Sequence, residues 1–136
     1  MPQNLGSKPT LDQRRAKHAW NAIKSLKPEE QQEYAREARK LPIRIMTAGL
    51  GQALAFIFAK AKNKKRSFEK LLEHLTEWVI NECQIPAKKQ NSLIESIIEG
   101  DPDFLRRATD EVLAYLVWLN RFAEAEGLTG EVDKEG

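Results

Sequence analysis

The stretch Leu41-Pro-Ile-Arg-Ile-Met-Thr-Ala-Gly-Leu-Gly-Gln-Ala-Leu-Ala-Phe-Ile-Phe-Ala-Lys-Ala-Lys-Asn-Lys-Lys-Arg66 decides how this chain folds. Between Ile43 and Ala61 only Arg44 and Lys60 are charged. Apolar side chains (Ile43, Ile45, Met46, Leu50, Leu54, Phe56, Ile57, Phe58) fall all round the helical wheel. A helix apolar on every side is buried on every side. The pattern therefore predicts a buried central helix over 43–61, with Phe56 and Phe58 in the core. Pro42 suits its first turn, where no N–H is needed. The same proline disfavours helix in the residue before it, so a preceding helix should end there. Arg44, Thr47 and Gln52 interrupt the run too often for a membrane span. Gly49 and Gly51 each cost about 1 kcal/mol against alanine in a helix interior. Close approach of another backbone would offset that cost, so both are expected to be packing glycines.

Outward from this stretch, the chain of 136 residues suits one domain, 10–127, with flexible tails at 1–9 and 128–136. Thr10 and Gln13 form a capping box for a first helix. Its apolar face is Ala16, Ala19, Trp20 and Ile23, flanked by Arg14, Lys17, Asn21 and Lys24. Pro28 opens a second, short helix. Glu29, Glu30 and Glu33 near its start and Arg36, Arg39 and Lys40 near its end complement its dipole. Beyond the central helix lies a basic loop from Asn63. Ser67 is then expected to cap a helix over 68–83 with Phe68, Leu71, Leu75, Trp78 and Val79 inward. Pro86 and Lys88-Lys89-Gln90 separate it from a short helix carrying Leu93, Ile94, Ile97 and Ile98. Gly100 closes that helix, and Asp101-Pro102 opens the last one, which Gly127 ends. Prolines 28, 42, 86 and 102 all fall at expected boundaries, and no β-hairpin dipeptide joins alternating runs. The fold class is all-α, a compact bundle of five to six helices around the central one.

Charge is unevenly spread. Residues 1–66 carry 15 Lys or Arg against 5 Asp or Glu, and residues 67–136 carry 7 against 15. The halves are thus +10 and −8, within a net charge of +2. Such asymmetry points to a polyanionic partner or to head-to-tail association of copies. The cations come in three groups, Arg14/Arg15/Lys17/Lys24, Arg36/Arg39/Lys40/Arg44 and Lys60/Lys62/Lys64/Lys65/Arg66. A continuous central helix would hold the last two about 30 Å apart, which suits an extended phosphate backbone. No helix is rich in the Asn, Gln and Arg that read base edges, so binding should be independent of sequence. Tyr34, Phe56 and Phe58 are the aromatic candidates for base stacking.

Catalysis has little behind it. His18 and His74 are lone histidines on amphipathic helices. His18, beside Arg14, Arg15 and Lys17, is the one candidate for a nuclease base. The carboxylate pairs Asp12/Glu33 and Glu69/Glu73 read as helix surface. No HExxH or paired histidine motif suggests a metal, Gly49-Leu50-Gly51 lacks phosphate-loop spacing, and no cofactor is expected. Cys83 is the only cysteine and ends an apolar stripe. No signal or transit peptide is expected, so a cytoplasmic address without membrane contact is the default.

Three stretches carry a resemblance: 13–20 (QRRAKHAW), 38–60 (ARKLPIRIMTAGLGQALAFIFAK) and 116–125 (LVWLNRFAEA). In order and spacing they resemble the small helical subunit of the type III-B CRISPR effector, the Cmr complex. The middle stretch is the specific one. The resemblance implies a non-catalytic all-α subunit. It also implies several copies stacked beside other subunits, holding single-stranded target RNA or a guide–target duplex. Carried onto this chain, the contacts are Arg14, Lys17, Lys40, Arg44 and Lys60; Lys64 and Arg66, beyond the match, join them on charge alone. The alternative is a helical protein-interaction adaptor without nucleic acid, using Trp118 and the Gly49/Gly51 groove.

Overall fold

A computed structural model describes residues 7–83, 85 and 92–130. Six α-helices follow in order: α1 (Leu11–Lys24), α2 (Pro28–Ala48), α3 (Leu50–Lys62), α4 (Arg66–Thr76), α5 (Leu93–Glu99) and α6 (Pro102–Ala125). No strand occurs among the described residues, so the class is all-α as expected. α1 packs along α6, α3 against α4, and α2 against α3, α4 and α6. Leu41, Leu54, Ile57, Leu71, Leu75, Trp78, Tyr115 and Leu119 fill the space between them.

The local signals at the starts of α1 and α6 act as anticipated. Thr10 and Gln13 form the reciprocal capping box of α1, at 3.0 and 2.8 Å. Ser92 caps α5 and Asp101 caps α6. Ser67 does not cap α4, which begins one residue earlier. Its buried hydroxyl instead donates to the Glu30 carbonyl on α2 at 2.9 Å. α4 also does not run as one α-helix to residue 83. From Glu77 to Glu82 it widens into a π-helical turn, with the Cys83 N–H donating to the Trp78 carbonyl five residues back.

The central stretch departs most from expectation. There is no continuous helix over 43–61. α2 passes straight through Pro42, and the break falls at Gly49. A proline inside a helix orphans the carbonyl four residues before it. Here that carbonyl belongs to Ala38, and the Asn120 side-chain amide on α6 donates to it at 3.0 Å. The missing bond is replaced across the bundle, so the helix continues. Gly49 adopts φ +91° and ψ 158°, a region essentially confined to glycine. Nothing lies within 4 Å of where its Cβ would be, so it is a conformational glycine, not a packing one. A Cβ at Gly51 would meet the Ile97 side chain at an ordinary 3.6 Å and no other backbone within 4 Å. Nor is the stretch buried on all sides. Ile43 and Met46 are 70% and 75% exposed, and Phe56 and Phe58 are 37% and 40% exposed.

On α1 the buried face is Ala19, Ala22 and Ile23, while Trp20 lies at the surface against Phe122. After α6 the chain turns back. Leu128 is buried, Arg39 donates to the Thr129 carbonyl, and the Gly130 N–H donates to Gln32. The remainder of the expected tail, 131–136, lies outside the described residues, as do 1–6 and Pro86, Lys88 and Lys89.

Candidate nucleic-acid interface

The bend at Gly49 folds α3 back beside α2. Along one straight helix, Arg44 and Phe56 would stand about 18 Å apart and Arg44 and Lys60 about 24 Å. Instead the Arg44 guanidinium carbon lies 4.1 Å from the Phe56 ring centroid, and the Lys60 ammonium lies 5.5 Å from the same point. The two cations are therefore no more than about 10 Å apart. They were expected at opposite ends of a rod, and the structure brings them together. Phe56 and Lys60 are four residues apart on α3, so that contact was legible as a helical pair. The Arg44 contact required the bend.

Arg44 is also anchored from within α2. Its Nη1 donates to Glu37 Oε1 at 2.8 Å, and Glu37 is buried. Arg36 approaches the other Glu37 oxygen at 3.6 Å. Glu37 is the lone acid between residues 34 and 68, and its task is to hold two arginines. Lys40 stands exposed one turn before Arg44, with no ion pair among the described residues. An apolar slot of about 380 Å³ opens at the elbow, lined by Ile43, Arg44, Ala53 and Phe56, with Lys60 beside the same Phe56 ring. Assigning Phe56 to the core hid this slot.

The other expected contacts lie elsewhere. Arg14 and Lys17 are exposed on α1, and Arg14 donates to the Glu82 carbonyl at 2.6 Å. Among the described residues no hydrogen bond or ion pair joins them to the elbow. Lys64 sits exposed at the α3–α4 turn with φ +65°. Arg66 pairs with Glu69 and approaches Glu30 at 3.9 Å, so acids offset its charge. Several neighbouring cations serve the fold: Arg15 binds Glu111, Lys24 approaches Glu126, and Arg39 binds Thr129. Tyr34 is fully buried and cannot stack on a base.

The histidines are structural. His18 is held on both ring nitrogens, by the Tyr115 hydroxyl at 2.6 Å and Glu77 at 2.7 Å. His74 bonds the Tyr34 hydroxyl at 2.7 Å. Burial, then the nearby His18 and Lys70, push its pKa down to about 4, so at neutral pH it accepts that hydroxyl proton. Beside them, Glu111 takes hydrogen bonds from Arg15 at 2.5 and 2.9 Å and from the Trp78 indole at 2.9 Å. Burial raises the Glu111 pKa, but these donors outweigh it and hold the group below the usual carboxylate range. Burial also pushes the Cys83 thiol up to about 12, which leaves it protonated and unreactive. The proposed carboxylate pairs do not form: Asp12 bonds Arg15 and Trp118, Glu33 approaches Arg36, and Glu69 binds Arg66.

The family model for the CRISPR-associated protein Cas_Cmr5 matches residues 11–126, from the start of α1 to the end of α6. The chain belongs to the Cmr5 family. The CRISPR system Cmr subunit Cmr5 of Thermus thermophilus is 31% identical over 111 residues, covering 81% of this chain and 90% of the relative. The X-ray crystal structure of a CRISPR-associated Cmr5 family protein from the same organism superposes with a TM-score of 0.68 at 32% identity. That match covers 85% of this chain and 96% of the other. Cmr5 is a non-catalytic subunit of the type III-B Cmr effector complex, which agrees with histidines committed to the core. Among the described residues, no helix of this Cmr5-family chain is long and apolar enough to cross a membrane.

Proposed function

We propose that this chain is a small subunit of a cytoplasmic type III-B effector complex that holds target RNA along its guide through phosphate contacts. The observation that carries this is the convergence of Arg44 and Lys60 on the exposed Phe56 ring, inside the segment that matches the family. Lys40 extends the cluster by one turn. Arg14 and Lys17 supply a second contact surface on α1. Lys64 and Arg66 supply a weaker one, offset by Glu30 and Glu69. None of these groups reads a base edge by itself, so affinity is the same for all sequences.

Copies stack head to tail alongside the other subunits. The +10 and −8 halves support this, and so does Ile98, which is 75% exposed between Glu95 and Glu99. α5 packs on the Gly51 side of α3, roughly 140° round that helix from Phe56. Basic and acidic surfaces that face different ways join into an open run, not a closed pair.

The test is RNA affinity of the assembled complex against salt. Each lost phosphate contact on a single strand flattens the plot of log affinity against log salt by about 0.7. Arg44→Ala with Lys60→Ala should flatten it by about twice that and weaken all sequences alike. An unchanged slope after neutralising Arg14, Lys17, Lys40, Arg44 and Lys60 together would make this chain a protein adaptor.

A further inference from the structure

We infer that the elbow takes an unpaired base of single-stranded RNA into the slot between α2 and α3, in addition to gripping phosphates; this rests on the reading of the elbow as an RNA contact. The slot, about 380 Å³, sits at the lower end of the range for small-ligand pockets. That is room enough for one planar base. It is lined by Ile43 and Arg44 from α2 and Ala53 and Phe56 from α3, together with the exposed Thr47 and Gln52. Ile43, 70% exposed, is a large apolar side chain left in water that a base would cover.

The platform is built before any ligand arrives. Glu37 holds the Arg44 guanidinium at 2.8 Å while that group lies 4.1 Å over Phe56. Bases stack on guanidinium planes as they do on aromatic rings. A platform already fixed by a buried carboxylate loses little freedom on binding. The Thr47 hydroxyl and the Gln52 amide each donate and accept, so they satisfy any base edge without selecting one.

Two features favour a nucleotide over a protein side chain. An apolar stacking surface with the Arg44 and Lys60 cations at its Phe56 ring is the combination that single-strand-binding grooves use. The one carboxylate beside it, Glu37, is buried and paired. A base within a duplex has both faces covered by its neighbours. The occupant is therefore an unpaired nucleotide, not a guide–target duplex.

The experiment follows methyl resonances of the full chain with two probes at low salt. One is a short oligoadenylate, and the other is an abasic ribose-phosphate oligomer of equal length. Oligoadenylate should shift the Ile43 and Thr47 methyls upfield by ring current, and the abasic oligomer should not. Phe56→Leu should weaken oligoadenylate binding about tenfold, toward the abasic value, and leave the salt slope unchanged. Because Phe56 also packs on Phe68, Ile43→Ser serves as a second variant that removes the exposed wall alone. Equal affinity for both oligomers, with Arg44→Ala and Lys60→Ala weakening both, would overturn the base slot and leave the phosphate contacts standing. Indifference of both oligomers to those two substitutions would remove the elbow as an RNA site altogether. Loss of self-association without loss of oligoadenylate affinity in either slot variant would make the slot a protein contact and overturn the inference.

Discussion

Asn120→Ala tests how α2 survives the proline inside it. The Asn120 amide is the donor to the Ala38 carbonyl, at 3.0 Å, in the place the Pro42 N–H would have filled. Ala38 is fully buried, so water cannot replace the amide without opening the α2–α6 contact. An orphaned buried carbonyl costs about 1–3 kcal/mol. With a urea dependence of about 2 kcal/mol per molar, a loss near 2 kcal/mol lowers the unfolding midpoint by about 1 M. Pro42→Ala supplies the missing backbone N–H, so in that background Asn120→Ala should cost less than about 0.5 kcal/mol. The double-mutant cycle should thus show a coupling of about 1–2 kcal/mol between residues on different helices. Costs that add to within about 0.5 kcal/mol would refute the reasoning, because Asn120 would then be stabilising something other than the proline site.

Gly49→Ala and Gly51→Ala should move thermal stability in opposite directions. The first forces alanine to φ +91° and costs about 1–3 kcal/mol, while the second gains up to about 1 kcal/mol of helix propensity beside Ile97; a rise in midpoint for both would mean that α2 and α3 do not break at Gly49. Stability should fall as pH drops from 6.5 toward 4, because over that window the unfolded chain protonates His74 and the folded chain, with His74 at about 4, does not. The loss amounts to about 3 kcal/mol by pH 4. His74→Gln, which can still accept from Tyr34, should flatten denaturation midpoints measured between pH 7 and 4.5, and an equal slope in both proteins would rule His74 out as the cause. Ile98→Glu keeps the acidic corner of α5 but removes its apolar contact, and should weaken self-association at least several-fold by sedimentation without changing the melt, at about 25 cal/mol per Å² of apolar surface no longer covered; unchanged association would place the stacking contact elsewhere.

Sequence alone determined the helical class and several helix starts, because those are local matters. Thr10 with Gln13, and Asp101 before Pro102, place side-chain oxygens where first-turn N–H groups need them. The family was legible as well, in the segment 38–60 and its two companions. The buried stripe of α4 and the turn after it, Phe68, Leu71, Leu75, Trp78 and Val79, followed from period. Tertiary structure decided the centre of the molecule. Pro42 reads as a boundary because its lost hydrogen bond is local, but the replacement donor, Asn120, is 82 residues away from Ala38. Gly49 and Gly51 look alike in the sequence; only backbone conformation separates a glycine required at φ +91° from one that merely touches Ile97. The candidate site was half visible for the same reason. Charge marked Arg44 and Lys60, and helical spacing joined Lys60 to Phe56. Arg44 reached Phe56 only because the chain bends between them, and a bend exposes one face of a stretch whose composition alone reads as buried on every side.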